Sequence, residues 1–416
     1  MGIIGCLLGF LIVIIFCYKD WSVYIATIVG AAVVMLFNWL PFIDTLTGAF
    51  IDGMFVPIKS FFFILLFGNI QAKIYSVSGA AYAIADTIMS SLLKPGASNT
   101  RKNVIAISVL LVIGIVLCMG GINASVFIVL MYPIALTIFE HCDIPKRFIL
   151  GVLGACSYTF TLTMPGSPQV TNVAAMSALG TSAGVAAVPG LVGAAVEIVV
   201  IIVLLNIFIN KARARGEHFE LHPLDPHYDE NSPRPKFIVA ILPLIILFIL
   251  FNVVGVDINI CIIISVVVSI ALFWNQLKDS SIRELLSTGA AESIHMSMTV
   301  AAICGFAGVV TNTEAFTSML NAIVSIDMSP MLICAIVVAV MCMLTGGSST
   351  GQLVALPLIA PKLLEMGLNA NVIHRVAVFA ATTLDSMPYC GSILMLLPMC
   401  HMKLKEIYPA MFITTV

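Results

Sequence analysis

The sequence predicts an all-α polytopic membrane protein, with roughly 11–13 transmembrane or re-entrant helices in two inverted-topology repeats with broken helices. Three observations carry that prediction. Of 416 residues, 60% are hydrophobic and 10% are charged, whereas a soluble domain has about 25% charged residues. Such a chain cannot cover itself against water. Second, two apolar runs are interrupted by proline, glycine and small polar residues, at Thr163-Met-Pro-Gly-Ser-Pro-Gln-Val-Thr-Asn172 and at Leu384-Asp-Ser-Met-Pro-Tyr-Cys-Gly-Ser392. Backbone left unpaired in hydrocarbon is costly, so such breaks persist only where protein or a cavity surrounds them. Third, landmarks recur at nearly one offset. Gly120-Gly121 and Gly346-Gly347 lie 226 positions apart (346 − 120), Pro133 and Pro357 lie 224 apart (357 − 133), and Pro165 and Pro388 lie 223 apart (388 − 165).

In chain order, the apolar runs read as spanning or half-spanning helices over 3–17, 21–40, 59–76, 103–119, 122–140, 147–164, 183–210, 237–254, 257–275, 293–312, 328–345, 350–366 and 372–386. About 20 helical residues cross the hydrocarbon core. Segments 79–93 and 314–325 are weaker and fit amphipathic interfacial helices. The first run has no basic residues before it and no small-x-small cleavage site after it, so it reads as a membrane helix and not as a signal peptide. Lys211–Lys236, rich in His, Asp, Glu and Pro, reads as an exposed cytoplasmic linker. The organisation is then N-terminal helices over 1–58, a first repeat over 59–210, the linker over 211–236, connecting helices over 237–292 and a second repeat over 293–416.

Basic residues favour the cytoplasmic side. With the N-terminus outside, Lys19, Lys94, Arg101, Lys102, Lys146, Arg147, Lys211, Arg213, Arg215, Arg234, Lys236, Lys278, Arg283, Lys403 and Lys405 fall in cytoplasmic connections, and only Lys59, Lys362 and Arg375 fall clearly outside. Segment 59–76 then runs inward and 293–312 outward, which inverts the two halves.

The polar residues at the interruptions are the candidate site. At the first break, Pro165 and Pro168 remove backbone donors, Gly166 supplies a permissive torsion, and Thr163, Ser167, Gln169, Thr171 and Asn172 supply neutral donors and acceptors. A half-helix starting near Ser167 or Gln169 would face the break with free N–H groups, which favour a carboxylate. The alternative is a proline kink whose hydroxyls bond back to their own helix. The second break holds Asp385, a cation-coupling candidate. A carboxyl at membrane depth is a functional candidate by default, because burial makes it take up a proton more readily than in water. An Asp that caps the next half-helix is the alternative, and a pair with Arg375 is less favoured. Tyr389 and Ser392 lie beside it. Gly120, Gly121, Asn123 and Ser125, and Gly346, Gly347, Ser348, Ser349 and Thr350, form re-entrant tips or tight helix–helix turns. The consecutive hydroxyls of the second group suit a carboxylate or a sodium ion.

Other polar residues read as structural. Asn69 fits an interhelical donor, and Glu292 and His295 fit the start of a helix at the inner surface. Glu140-His141-Cys142-Asp143 fits a solvated turn, and His374-Arg375 fits the outer mouth. Eleven cysteines are scattered without a CxxC, consistent with small packing residues. There is no P-loop or H-E-x-x-H. No cofactor, metal, nucleic-acid partner or enzymatic activity is expected.

At Gly346–Tyr408 the chain resembles the gluconate permease (GntP) family, within the ion transporter superfamily of carboxylate carriers. The carrying residues are Gly346-Gly-Ser-Ser-Thr-Gly-Gln352, Pro361-Lys-Leu-Leu-Glu-Met-Gly-Leu-Asn369, Val372-Ile-His-Arg-Val376 and Leu384-Asp-Ser-Met-Pro-Tyr-Cys-Gly391, the last close to the family's LDTLPHNGAV. The run at 165–172 is similar to the first-half motif of some members. The resemblance implies about a dozen helices, inverted repeats and proton symport of a sugar acid or related hydroxycarboxylate. The family's His-Asn is Tyr389-Cys390 here, and its acidic residue has no counterpart in Gly121–Met131, which points to a smaller or less hydroxylated carboxylate. The family continues beyond Thr414-Thr-Val416 through another helix, so truncation is expected. The expected function is a cation-coupled, in the first instance proton-coupled, symporter of small organic anions in the bacterial cytoplasmic membrane. Its partners are the anion, a proton or sodium ion, the lipid bilayer and a second copy of the chain as a homodimer. Sodium coupling, a membrane-embedded enzyme and a passive channel are the alternatives.

Overall fold

The computed structural model describes all residues except 20, 94–95, 120–123, 226–232, 279–280, 325–327, 395 and 416, and leaves out the side chains at 60–61, 124–126, 252, 320–321, 323–324, 349–350, 354 and 391–392. Every regular element among the described residues is a helix. Helices α1 (Gly2–Tyr18) and α2 (Val23–Phe37) form a hairpin, and α3 (Ile51–Val77) continues from a π-helical turn at Leu46–Phe50. There follow α4 (Ala80–Leu92), α5 (Asn99–Met119), α6 (Ala124–Cys142), α7 (Ile149–Tyr158) and the short α8 (Phe160–Thr163). Next come α9 (Val170–Leu179), α10 (Ala187–Ala214), α11 (Phe237–Ile249), α12 (Ile258–Leu272), α13 (Ile282–Thr311) and α14 (Glu314–Val324). The last are α15 (Pro330–Thr345), α16 (Ser348–Glu365), α17 (Ala370–Ala381) and α18 (Leu404–Thr415). Among the described residues, α5, α10 and α13 are single helices long and apolar enough to cross a membrane. Phe42–Lys59 and Phe62–Val77, bent by 49°, together make a fourth such span, and the other apolar helices have 10–17 residues.

Close backbone approach, not side-chain bulk, holds the long helices together. A Cβ on Gly53 would come within 2.5 Å of the Cys304 carbonyl oxygen, and one on Gly308 within 2.5 Å of the Ala49 carbonyl. Small residues at such contacts are the usual device in lipid, where apolar burial gives little preference for protein over tails. Gly308→Leu is therefore expected to cost about 2 kcal/mol through overpacking against a carbonyl that cannot turn aside. Gly48→Ala, where an added Cβ meets nothing within 4 Å, should be near neutral. Melting of the two variants in detergent checks the contrast. Asn69 bonds across the same interface to Met296 Sδ at 3.2 Å, and also donates within its own helix to Leu65 O at 2.9 Å.

Several boundaries differ from the sequence expectation. Helix α13 begins at Ile282, eleven positions before 293, because Ser281 caps it by accepting the Glu284 N–H at 3.2 Å. Glu292 and His295 are consequently mid-helix, with Glu292 paired to Lys73 at 2.8 Å and His295 Nδ1 bonded to Tyr24 at 3.3 Å. The 211–236 linker is not simply exposed. Its start is helical, Asp225 is buried against Lys146 at 2.5 Å, and Glu217 takes both Arg147 donors at 2.8 and 3.0 Å. Asp143 accepts from His218 Nδ1 and from the Phe219 N–H. Burial would raise its carboxyl, but these bonds and Arg213 together hold it below the ordinary carboxylate range. Its contribution is thus full above that range and is lost as pH falls through the folded value.

Candidate functional site

The first break folds as its residue types require. Helix α7 ends at Tyr158, Thr159 leaves helical geometry, and α8 lasts four residues before Pro165. Gly166 takes φ +79°, and its N–H donates to Ala183 O at 2.9 Å. Gln169 occupies the N-cap position of α9, so a half-helix does restart where the sequence indicated. Ser167, Thr171 and Asn172 bond back to carbonyls of α8, and Gln169 reaches across to the end of α5. Ser167 Oγ donates to Thr161 O at 2.6 Å, Thr171 Oγ1 to Leu162 O at 3.0 Å, Asn172 Nδ2 to Leu162 O at 2.9 Å and Gln169 Nε2 to Cys118 O at 2.8 Å. All four side chains are buried. Their donors hold the break together, which is the behaviour of the kink alternative.

The second break follows α17. Gly346, at φ +65°, ends α15 and Gly347 caps α16, so this Gly-Gly pair is the joint of a helical hairpin. Two residues of the break clamp that joint: Tyr389 O–H donates to Met343 O at 2.5 Å, and Cys390 Sγ lies 3.1 Å from Gly346 O. Asp385 is buried beside Ser348, and its Oδ1 has no partner among the described residues. Gln352, fully buried on α16, has neither amide atom paired. Unpaired buried polar groups are rare enough to require an explanation, such as a bound ligand, ion or water.

A cavity of 520 Å³ lies between α10, α17 and α18, and the chain just before each break reaches it. Thr159 lies four residues ahead of Thr163, and Thr382 and Thr383 immediately ahead of Leu384 and Asp385. Ser386 bonds Thr415, another cavity residue. Two charged side chains line the cavity. Arg375 donates from Nη1 to Thr163 O at 2.6 Å and from Nη2 to Ala183 O at 3.1 Å and Val185 O at 2.8 Å, while its Nε has no partner. Glu197, in the middle of α10, accepts from Thr163 Oγ1 at 2.9 Å. Among the described residues no carboxylate lies within ion-pair distance of Arg375, and Asp385 in particular does not pair with it.

His374 and Arg375 are both packed into the fold. They are 0% and 5% exposed, and His374 Nε2 bonds Asn172 Oδ1 at 3.2 Å while Nδ1 bonds Thr181 Oγ1 at 2.7 Å. The loop after α9 carries carbonyls with no helical partners, and the guanidinium satisfies them. Glu197 and Gln352 were missed. Each left a signal: Glu197 is the only acid in the apolar run 185–209, and Gln352 stands immediately after Gly351. Gly120, Gly121 and Asn123 lie outside the described residues, as do the side chains of Ser125, Ser349, Thr350 and Ser392.

No family model matches the chain. It is 24% identical, over 453 aligned residues, to a protein of Bacillus subtilis (strain 168) named as the uncharacterized transporter YxjC, with 96% of this chain and 92% of that one covered. A crystal structure of the YdaH transporter of Alcanivorax borkumensis, described as having an unusual topology, is similar at a TM-score of 0.42 and 11% identity, covering 90% of this chain and 86% of that one. Full-length similarity to a transporter, on a chain built of apolar helices, supports a multi-pass membrane transporter as the class of this protein.

Proposed function

We propose that this protein is a secondary active symporter that carries a small organic anion together with protons across the bacterial cytoplasmic membrane, N-terminus outside. The observation that carries the reading is the cavity between α10, α17 and α18: it is lined by residues just ahead of both helix breaks, and it contains a buried guanidinium with no carboxylate in pairing distance among the described residues. A guanidinium with no carboxylate in direct contact can still form a charge-assisted pair, and an anionic substrate supplies the partner. Asp385, buried at the second break beside unpaired Gln352, is the coupling carboxyl. A carboxylate removed from water relieves its charge by binding a proton.

The halves act as inverted repeats about the midplane, and alternating access moves one against the other. The resemblance to gluconate permeases favours hydroxycarboxylates, and Tyr389-Cys390 in place of their His-Asn favours the less hydroxylated ones. The test is uptake of labelled C3–C6 hydroxy acids into proteoliposomes. An inside-alkaline gradient of one pH unit is worth about 1.4 kcal/mol per proton, so accumulation of about tenfold for each proton carried is expected. Accumulation driven by sodium alone would reassign the ion, and uptake indifferent to both gradients would end the symport reading.

A further inference from the structure

We propose that Glu197 is a proton-binding carboxyl of the anion cavity and the internal counter-charge to Arg375, so that its protonation leaves the guanidinium free to take the carboxylate of the incoming anion. The inference rests on the anion-transport reading and concerns the same cavity.

Three observations converge on Glu197. It is a lone acid within a 28-residue helix whose outer face is apolar, with Val192, Val196, Val199 and Val203 exposed. An acid at such depth serves an ion pathway more often than packing. It faces inward, lining the cavity that Arg375 also lines. Finally, the two charges grip one residue from opposite sides: Glu197 accepts the Thr163 hydroxyl and Arg375 donates to the Thr163 carbonyl. Thr163 ends α8, the last turn before the first break.

The charge arithmetic gives the order of events. With Glu197 ionised, the cavity holds one negative and one positive side chain and has no net attraction for an anion. A proton on Glu197 leaves the cavity with the single positive charge of Arg375. Proton binding therefore precedes and favours anion binding, and the anion in turn favours the proton by the same factor.

The elements packed against α10 are α5, α7, α8 and α18. Their titratable side chains include Cys118, Cys156, Tyr158 and Tyr408, while α17 contributes His374 and Arg375 across the cavity. Of these, only Arg375 lines the cavity. A proton fits better than a metal ion, because the fixed guanidinium opposes a second permanent cation.

The experiment is equilibrium binding of labelled glycerate, malate and gluconate to the purified full-length protein between pH 5 and 9. In the wild type, affinity for the bound probe should fall with rising pH, approaching tenfold per unit once Glu197 ionises. Glu197→Gln, which keeps an acceptor for Thr163, should hold the low-pH affinity across the range, and Glu197→Asp should restore the pH dependence. A wild-type profile in Glu197→Gln overturns the assignment, as does loss of binding at every pH in a variant that melts like the wild type. Binding of none of the probes by the wild type overturns the anion reading itself, and this inference with it.

Discussion

Asp385→Asn should cut accumulation across a one-unit pH gradient by about tenfold, one proton's worth, while exchange of internal for external anion persists. Asparagine preserves the shape and an acceptor beside Ser348. It removes the group that takes up and gives up a proton. Because Asp385 is 3% exposed with Oδ1 unpaired among the described residues, no surface charge can substitute for it. The substitution should not unfold the protein, since a neutral amide is easier to bury than an ionised carboxylate. Exchange needs substrate binding and the access change but no net proton movement, so it separates loss of coupling from loss of the carrier. Full accumulation in Asp385→Asn would move the coupling role to another carboxyl, with Glu197 next in line. Loss of exchange as well would make Asp385 part of the anion site.

The breaks were legible because proline and glycine act locally. Pro165, Pro168 and Gly166 cannot continue a helix whatever surrounds them, and the chain restarts at Val170 as their placement demands. What the polar residues beside them do was less legible. Ser167, Thr171 and Asn172 are chemically suited both to bind a ligand and to satisfy stranded carbonyls, and only the fold decides, here for the carbonyls. The burial of Arg375 was hidden for a different reason. Charge rules assign basic residues to connections between helices, yet α17 begins at Ala370 and carries Arg375 into the interior, where a loop distant in sequence supplies its acceptors. Glu197 disappeared into averaged hydropathy, since one acid among 28 residues barely lowers it. Helix α9 fell between two expected segments because a ten-residue half-helix is stabilised by packing on α16 and α17, contacts with no local signature.

Arg375→Leu should lower stability by about 3 kcal/mol, against changes within about 0.5 kcal/mol for an ordinary surface arginine. The guanidinium donates to three backbone carbonyls from two segments, Thr163 at the end of α8 and Ala183 and Val185 in the loop before α10. The Thr163 site is fully buried, so its carbonyl gains no water when the donor is lost, and an orphaned buried acceptor costs about 1–3 kcal/mol. Ala183 O keeps the Gly166 N–H, and Val185 O, half-exposed, recovers part of its bonding from solvent, which is why the total stays below three full penalties. Gly190 limits any repair, because a Cβ there would already sit 2.4 Å from Pro165 and 3.2 Å from Arg375 Cδ. Arg375→Lys separates the two roles of the residue. Its ammonium keeps the positive charge but cannot reproduce the planar fork, so it should melt between wild type and Arg375→Leu while retaining part of the anion affinity that Arg375→Leu loses. Melting in detergent and probe binding on the same three proteins read the two roles independently. Wild-type melting of Arg375→Leu would mean that the guanidinium does not tie the first break to α17, and equal anion affinity in all three would remove it from the binding site.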